Sequence, residues 1–402
     1  MTASENAENI SILRAKMQDF INNEVIPRES VLHQDNPDAR EAMDSLKARA
    51  KFLGLWSLGH PTDIGGGGLP LMEFALLNEI IGRSYFGMFA VGSVSMQDSI
   101  MLHLYGSNAQ RAQWLEPLVN GDIYPSVGLT EPDVAGSDPT LMKTRAVLEG
   151  DEWVINGHKW FTSGAEGADF AIVIARTDPD AEIPQARNSA FIVPTKTPGF
   201  EIVRDVETMG GRHNHPEIKY TNVRVPKTHL LGERGGGHKL GQVRLGPARL
   251  AHCMRWLGQI EMALEMLIDR AQKRFAHGSY LSEKQSIQWM MSDSAMELYA
   301  SKLMVLHAAY KIEQGMEFKQ EVSMAKHHVA NTLWRVIDRA MQVHGALGYS
   351  TDTPLAGMMQ QARWARLADG ADEVHQMRIA ELLMRAYNED GSVNQAVGGL
   401  PL

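Results

Sequence analysis

Cysteine is nearly absent from the sequence, because Cys253 is the only one among 402 residues. A single thiol can form neither an intrachain disulfide nor a cluster of thiolate ligands. This excludes a disulfide-stapled scaffold and a cysteine-based zinc site. Such cysteine usage is typical of a reducing compartment, so we expect a cytoplasmic protein.

Positive charge and long apolar runs are also scarce. The chain has 39 Lys and Arg against 48 Asp and Glu, a formal net charge of −9. An acidic surface repels phosphate backbones and anionic lipids. The longest uncharged run, 84–97, has 14 residues, fewer than the roughly 20 that cross a bilayer. The first twenty residues lack the basic and apolar regions of a signal peptide. We therefore predict a soluble protein without nucleic-acid or membrane partners.

Several catalytic motifs are missing. The sequence has no G-x-x-x-x-G-K-[ST], G-x-S-x-G or H-E-x-x-H pattern, and no G-x-G-x-x-G that opens a helix after a strand. Four common enzyme classes therefore lose support. The pairs His213/His215 and His327/His328 lack the i, i+4 spacing of helical metal ligands, and we predict no metal. The glycine run 65–68 indicates a flexible turn rather than a phosphate cradle.

What is present is the composition of an ordinary folded protein, 44% hydrophobic and 22% charged. The length fits two or three compact units. In residues 1–122 apolar residues recur at the helical period, interrupted by prolines and glycines. The pattern predicts an N-terminal helical domain with helices near 10–25, 39–53, 71–83, 88–105 and 108–119.

The middle of the chain differs in character. Residues 123–240 contain short apolar runs bounded by Gly, Pro, Asn and Asp, which predict strands at 168–175, 188–194, 200–206 and 218–226. No long helical pattern is interleaved with them. An antiparallel sandwich or barrel is therefore favoured over a parallel βαβ sheet.

The helical period returns in residues 241–402. Long helices are predicted at 247–274, 283–313, 321–345 and 372–387, which indicate a C-terminal four-helix bundle. Six methionines are predicted as bundle core: Met262, Met266, Met290, Met291, Met296 and Met304. The predicted domains are thus helical at 1–122, β-barrel or sandwich at 123–240 and four-helix bundle at 241–402.

Three parts of the sequence carry chemistry. The first is LTEP at 129–132 followed by GSD at 136–138, where helices give way to strands. The second is NGHKWFTSG at 156–164, and the third combines MQVHGALGY at 341–349 with RLADGADEVH at 366–375. Together they resemble the acyl-CoA dehydrogenase family over essentially the whole chain. The resemblance is closest to the subgroup that in animals is found fused to kinase-like domains, which shares LGPAR at 245–249 and ADGADEVH at 368–375.

The resemblance implies a mainly α fold with a central antiparallel β domain, FAD as cofactor and usually a homotetramer built as a dimer of dimers. It implies α,β-desaturation of an acyl-CoA thioester to a trans-2-enoyl-CoA, with electrons passed to an electron-transfer flavoprotein. The acyl group is left open, and the subgroup points only loosely to 2-methyl-branched or hydroxylated acyl-CoAs.

The resemblance also assigns residues to the flavin half of the cofactor. Positions matching Val127, Leu129 and Thr130 meet the edge of the isoalloxazine ring. Those matching Trp160 and Thr162 flank the ring, with the threonine near N5, and core packing is the alternative for Trp160. Two further positions match residues near the pyrophosphate and the acyl-CoA, namely Gly136 and Ser137.

Burying a pyrophosphate requires cationic and amide donors. Arg274 and Gln285 match the family's pair for this role, while Gln342 and Gly345 match its adenosine-side loop, and in the family both sets come from the neighbouring subunit. Two positions depart from the family pattern: His277 replaces a usual aromatic residue, and Ala346 replaces a usual glycine. The cofactor set is completed by Ala371 and Glu373, although stabilisation of a helix N-terminus suffices to explain an acid at 373.

Desaturation needs a carboxylate that removes a proton next to the thioester carbonyl. Asp369 occupies that position. Most family members have Glu there, but the subgroup with the ADG run has Asp. Arg249 matches an arginine close to the base and the substrate, with a surface salt bridge as the alternative, and Gly370 is assigned to substrate binding with Ser137. The backbone N–H at 369 is expected to polarise the thioester oxygen.

Two other functions remain open. Nitroalkane oxidases share this fold and use Asp as the base, with molecular oxygen as electron acceptor. A flavin-bearing binding protein without catalysis is the other alternative, which the presence of both Asp369 and Arg249 disfavours.

Overall fold

The computed structural model describes residues 3–34 and 36–393. Within them the chain forms two compact units. The first consists of the chain up to Gly59, Leu69–Val91 and the chain from Gly246 on, and the second of His60–Gly68 and Gly92–Leu245. The division into three domains along the sequence stays a prediction.

The helices of the N-terminal part are short to medium in length. They are α1 (Ala3–Phe20), α2 (Glu29–Leu32), α3 (Pro37–Phe52), α4 (Leu71–Ile81), α5 (Gly87–Ala90), α6 (Met96–Tyr105), α7 (Asn108–Gln110) and α8 (Glu116–Asn120). The predicted helix 88–105 is broken because Gly92 has a left-handed φ of 71°. Two π-helical turns, Ile21–Val25 and Arg111–Leu115, continue α1 and α7.

The C-terminal helices include three long ones. They are α9 (Gly237–Lys273), α10 (Gln285–Glu313), α11 (Lys319–His344), α12 (Ala346–Tyr349), α13 (Leu355–Ala365) and α14 (Asp372–Asp390). Helix α9 begins ten residues before the predicted start, because the chain remains helical through Pro247, a residue more often found at a helix start. Helix α13 was not predicted.

Strands β1 to β8 lie in the second unit. They are β1 (Pro125–Gly128), β2 (Arg145–Glu149), β3 (Glu152–Lys159), β4 (Phe170–Arg176), β5 (Asn188–Pro194), β6 (Phe200–Asp205), β7 (Pro216–Pro226) and β8 (Leu230–Leu231). They form one sheet in the order β6-β7-β3-β2-β4-β5-β8, with β1 also paired to β4. The predicted fold class is confirmed, but the sheet is mixed, since β1 and β2 each pair with β4 in parallel.

Strand β4 is covered on both faces, which explains its unbroken apolar sequence. Phe170, Ile172 and Ile174 pack in one apolar cluster with residues of α6 and α8. The alternate residues of β4 pack in a second cluster with residues of β3, β5 and β7. The sheet therefore separates two apolar cores within this unit.

In the first unit, α4 and α9 approach closely at two glycines. A Cβ on Gly258 of α9 would lie 2.0 Å from the Glu79 carbonyl oxygen, and one on Gly82, directly after α4, would lie 2.1 Å from the Arg255 carbonyl oxygen. Asn78 adds a hydrogen bond from its side-chain amide to the Ala251 carbonyl, at 3.3 Å. This crossing fixes the part of α9 that carries residues 249–256.

We predict that Gly258→Ala lowers the free energy of unfolding by about 1–3 kcal/mol, because the new methyl group meets backbone atoms that cannot move aside independently. Urea unfolding followed by circular dichroism measures the change. Gly357→Ala in α13 is the matched control, since a Cβ there meets nothing within 4 Å. That substitution should stabilise the protein by about 0.5–1 kcal/mol, the usual gain of Ala over Gly in a helix. Equal effects of the two substitutions would contradict a close α4–α9 contact.

Candidate functional site

The structure separates the predicted site residues into three groups. One group surrounds the loop between α13 and α14 in the first unit, here called the Asp369 loop (366–371). A second group lies after β1 and β3 in the second unit, and a third lies at the ends of α9 and α11.

The backbone of the Asp369 loop turns through two left-handed residues. Asp369 has φ 54° and Gly370 has φ 104°. Asp tolerates this conformation better than most residues, whereas the second position requires Gly. A Cβ on Gly370 would also lie 2.9 Å from Nε2 of His375. The backbone conformation of the turn therefore explains the Asp-Gly pair without reference to catalysis.

Cationic side chains hold the carbonyl groups of this loop. Arg249 Nε donates to the Asp369 carbonyl at 2.7 Å, and Lys326 Nζ donates to the Gly370 carbonyl at 2.6 Å. At the start of α14, Arg366 Nε donates to Asp372 Oδ2 at 2.7 Å. The loop is therefore fixed to α9, α11 and α14 by charge-assisted hydrogen bonds.

The Asp369 carboxylate lies beside a histidine of α9. His252 Nε2 is 3.3 Å from Asp369 Oδ2, and the Asp369 side chain is 22% exposed. Arg255 donates to His252 Nδ1 at 3.0 Å. The His252 ring stacks on Trp256, with 5.5 Å between ring centroids, and meets Trp364 edge-on at 5.3 Å. The partly exposed carboxylate therefore lies next to a histidine that is held in place by two tryptophans and an arginine.

Burial shifts the titration of the groups around Asp369. Burial lowers the pKa of Arg255 to about 10 against the attraction of Asp369. Burial, helped by Lys326, lowers the pKa of His375 to about 4, and burial raises the pKa of Cys253 to about 12. At neutral pH Arg255 is charged, the His375 ring is neutral and Cys253 is a thiol. The surrounding cations favour the ionised carboxylate, which is the form a general base needs.

In the second unit, the segments after β1 and β3 are hydrogen-bonded to each other. Trp160 N–H donates to the Thr130 carbonyl at 3.1 Å, and Thr130 Oγ1 donates back to the Trp160 carbonyl at 2.9 Å. Strand β3 ends at Lys159, just before Trp160, because Phe161 has a positive φ of 48°. Thr162 is fully buried, and its hydroxyl has no hydrogen-bond partner among the described residues.

A buried ion pair lies beneath these segments. Lys159 is 0% exposed, and its Nζ lies 2.9 Å from Glu131 Oε1 and donates to the Leu129 carbonyl at 2.8 Å. Glu131 also accepts the backbone N–H groups of Lys143 and Thr144. Burial lowers the pKa of Lys159 to about 8, although attraction to Glu131 opposes the shift. The pair joins the TEP segment to the end of β3.

The other residues of this group differ in exposure. Val127 lies on β1, and both it and Leu129 pack at the edge of the first apolar cluster. Gly136 and Ser137 are exposed in the loop that follows. A Cβ on Gly136 would approach Thr130 Cγ2 to 3.0 Å, so the glycine allows this loop to lie against Thr130.

The third group lies far along the helices from Asp369. Arg274 follows the end of α9, and His277 with Gly278 forms the positive-φ turn of a hairpin between β9 (Phe275–Ala276) and β10 (Ser279–Tyr280). Gln285 begins α10, Gln342 lies in the last turn of α11, and Gly345 follows it with φ 65°. At a rise of 1.5 Å per residue, Arg274 is about 37 Å along α9 from Arg249. The same rise places Gln342 about 24 Å along α11 from Lys326.

The two remaining predicted residues flank the start of α14. Ala371 is its N-cap residue, and Glu373 lies exposed in its first turn, where an acid stabilises the helix N-terminus.

Sequence reasoning missed several residues that surround Asp369. His252 and Arg255 belong to the face of α9 that carries Arg249, and the i, i+3 spacing from 249 to 252 and 255 was the available signal. Lys326 had no such signal, because a lysine in the middle of a helix is usually solvated. The residues missed are His252, Arg255, Lys326, His375 and the Glu131–Lys159 pair.

Two further properties concern only residues 3–34 and 36–393. No group of three or more His, Cys, Asp or Glu side chains there could hold a metal ion. No helix of that part is long and apolar enough to span a membrane.

Comparison with known proteins finds similar proteins over most of the chain. Three models of the acyl-CoA dehydrogenase family match the chain: the N-terminal domain at residues 7–122, the middle domain at 126–223 and the C-terminal domain at 235–384. "Probable acyl-CoA dehydrogenase FadE2" of Mycobacterium tuberculosis is 40% identical over 91% of this chain and 93% of its own length.

Two further relatives show the same likeness. Acyl-CoA dehydrogenase family member 11 of Rattus norvegicus is 34% identical over 91% of this chain but only 49% of its own length. The chain thus spans about half of that animal relative. A solved structure of a Mycobacterium abscessus protein, provisionally assigned to the acyl-CoA dehydrogenases, superposes with a TM-score of 0.88 at 37% identity, over 94% of this chain and 98% of that one.

We predict that Glu131→Gln lowers the free energy of unfolding by about 3–5 kcal/mol, because it leaves the Lys159 ammonium buried without its counter-ion. Replacing both partners, as in Glu131→Gln with Lys159→Met, should cost less than the single change, since no unpaired charge remains. Urea unfolding of the two variants measures the difference. Asp151→Asn breaks the exposed pair with Lys227 and serves as control, with an expected unchanged midpoint. A double variant less stable than Glu131→Gln would contradict this account.

Proposed function

Because the chain belongs to the acyl-CoA dehydrogenase family, we propose that it is a FAD-dependent enzyme that desaturates an acyl-CoA thioester between its α and β carbons. The product is a trans-2-enoyl-CoA. The observation that carries this proposal is the position of the Asp369 carboxylate, on a loop whose carbonyl groups accept hydrogen bonds from Arg249 and Lys326.

Asp369 acts as the base in this reaction. Its carboxylate accepts the proton from the α carbon, and the cations around it keep it ionised beforehand. Arg249 holds the Asp369 carbonyl, so the carboxylate and the loop backbone keep one geometry through the reaction. The backbone N–H of Asp369 polarises the thioester oxygen, which increases the acidity of the α proton. Gly370 and Ser137 complete the proposed substrate contacts.

The residues of the second unit fit a flavin. The Thr162 hydroxyl is buried without a partner among the described residues, and a ring nitrogen would satisfy it. We assign the flavin ring to Val127, Leu129, Thr130, Trp160 and Thr162, the pyrophosphate side to Gly136 and Ser137, and further cofactor contacts to Ala371 and Glu373. When bound, FAD supplies the acceptor for the hydride that leaves the β carbon.

We assign the donors to the pyrophosphate to Arg274 and Gln285 and the adenosine side to Gln342 and Gly345, with His277 as a further cofactor contact. Within one chain Arg274 lies about 37 Å along α9 from Arg249, and Gln342 lies about 24 Å along α11 from Lys326. Arg249 and Lys326 bind the Asp369 loop, and both spans exceed the length of the five-carbon ribityl chain between the flavin ring and the pyrophosphate. We therefore assign Arg274, Gln342 and the residues grouped with them to the cofactor of a second copy of the chain.

An exposed apolar stripe on α10 supports assembly into such copies. Trp289, Met296 and Leu303 repeat at heptad spacing and are 59%, 62% and 51% exposed, and Tyr299 beside them is 66% exposed. Met296 was predicted as bundle core and is instead on the surface of the single chain. Exposed apolar stripes mark protein interfaces. We propose that these residues are covered in a homotetramer built as a dimer of dimers.

The remaining proposals rest on the sequence patterns and on the likeness to the family. We propose an electron-transfer flavoprotein as the acceptor of the electrons, a cytoplasmic location and a role in fatty acid metabolism. The three domains at 1–122, 123–240 and 241–402 belong to this proposal as well.

We predict that Asp369→Asn abolishes flavin bleaching by acyl-CoA while FAD stays bound, because the amide cannot accept the α proton. Anaerobic absorption spectra after addition of butyryl-CoA, octanoyl-CoA or isobutyryl-CoA measure the reaction. Bleaching by Asp369→Asn at the wild-type rate would remove Asp369 from the mechanism. Bleaching of the wild type by nitroethane alone, with fast reoxidation in air, would instead favour a nitroalkane oxidase. A flavin that no compound bleaches would favour a binding protein.

We predict that two inactive variants restore activity when combined. Arg274→Ala should lose FAD, and Asp369→Asn should keep FAD but not react. In a mixed dimer, one site combines the intact Asp369 of one copy with the intact Arg274 of the other. Co-expression with two different affinity tags, followed by isolation of the mixed species, should therefore recover about half of the wild-type bleaching. Absence of recovery would place both residues in one copy's site.

A further inference from the structure

The strongest unassigned feature of the site is His252. Its Nε2 lies 3.3 Å from Asp369 Oδ2, and it is on the same face of α9 as Arg249, three residues away. The proposed reaction gives this histidine no role, although it is next to the proposed base.

The contact with Arg255 fixes the proton on the His252 ring. A guanidinium only donates hydrogen bonds, so His252 Nδ1, at 3.0 Å from Arg255, carries a lone pair. Burial lowers the pKa of Arg255 to about 10, which still leaves it charged at neutral pH. The neutral ring therefore carries its hydrogen on Nε2, the atom that faces Asp369. Protonation of Nδ1 would place two donors against each other.

The orientation of the ring is also fixed. Trp256 stacks on it, and Trp364 meets its edge. The backbone of Arg255 is held where Gly82 approaches its carbonyl. The His252 ring cannot turn away from the carboxylate without losing the aromatic contacts and the hydrogen bond from Arg255.

We propose that His252 is a positioning residue for the base Asp369. The Nε2–H of His252 holds the Asp369 carboxylate in its ionised form and in one orientation. The proposal rests on the proposed function. It explains how the Asp369 side chain keeps one direction: Arg249 holds the Asp369 backbone carbonyl, and His252 holds the Asp369 carboxylate.

Other charged groups face Asp369 and are common to all variants compared below. Arginines 249 and 255 stay charged at neutral pH, and His375 and Cys253 stay neutral there, because burial lowers the pKa of His375 to about 4 and raises the pKa of Cys253 to about 12. Among the described residues, the groups that interact electrostatically with Asp369 include Arg249, Cys253 and Arg255 from α9 and Lys326 from α11. His375 of α14 contacts the Asp369 backbone, and Arg366 pairs with Asp372 beside the loop.

Two substitutions separate positioning from packing. His252→Phe keeps a ring against Trp256 and Trp364 but removes the donor. His252→Gln loses the ring but has an amide N–H that occupies the place of Nε2 and an oxygen that accepts from Arg255. The rate constant of anaerobic flavin bleaching by butyryl-CoA, octanoyl-CoA or isobutyryl-CoA, whichever bleaches the wild type fastest, is measured from pH 5 to 9.

We expect His252→Phe to bleach about 10- to 100-fold more slowly at pH 7, because the carboxylate loses its fixed direction toward the α proton. The acid limb of its pH profile should move to higher pH, because loss of the donor disfavours the ionised carboxylate. His252→Gln should recover most of the rate and the wild-type limb. The substrate concentration for half-maximal rate should change little.

The opposite results would overturn the proposal. A wild-type rate and limb in His252→Phe would show that the contact is not used. Slowing of His252→Gln but not of His252→Phe, with an unmoved limb, would indicate packing alone. Asp369→Asn in the same series tests the proposed function separately. Bleaching by that variant would refute Asp369 as the base and leave only the contact with His252, which the stability measurement below tests by itself.

A readout without activity tests the same contact. Urea midpoints of the wild type, His252→Phe, Asp369→Asn and the double variant form a double-mutant cycle. We expect His252→Phe to lower the midpoint in the wild type and to lower it less in the Asp369→Asn background. Additive shifts would contradict a direct interaction between His252 and the carboxylate.

Discussion

The geometry around Asp369 depends on two hydrogen bonds to consecutive carbonyl groups, one from a partly buried arginine and one from a buried lysine. Arg249 holds the carbonyl of Asp369, and Lys326 holds that of Gly370. Left-handed backbone at a non-glycine residue costs about 1–3 kcal/mol, and charge-assisted bonds of this kind contribute a similar amount. The turn that presents the carboxylate is therefore stable only while α9 and α11 supply these donors.

Arg249 and Lys326 can hold these positions only if the helices that carry them are packed firmly against their neighbours. A charged group loses much of its hydration when it is buried, and it is tolerated only with partners in fixed positions. For α9, that position is set by the glycine contact with α4, where no side chain separates the backbones. Loss of that contact would move Arg249, His252 and Arg255 together, so a change far from the carboxylate would alter its surroundings.

The sequence predicted the architecture well because its signals are local. Periodicity identifies long helices, and the bounds of α10, α11 and β5 agree with prediction within two residues. The runs ADG and LTEP carried the family resemblance, and with it the identity of Asp369. Strands β1 to β3 were missed because they are short or carry polar residues, and Phe161 ended β3 through a backbone angle that no composition reveals.

The surroundings of the site were less predictable, because they depend on contacts between distant segments. Lys326 and Gly370 are separated by 44 residues, and Glu131 and Lys159 by 28, so neither pair has a pattern in the sequence. The prediction that Met296 is buried in the bundle was also wrong. An apolar residue on a helix has the same sequence pattern whether it packs within its own chain or against another copy. His252 combines both difficulties: a histidine on a helix is usually structural, and only the positions of Arg255 and Asp369 on either side of its ring give its two nitrogens distinct roles. The family resemblance was enough to propose Asp369 as the base, but the tautomer of His252 follows only from the folded chain.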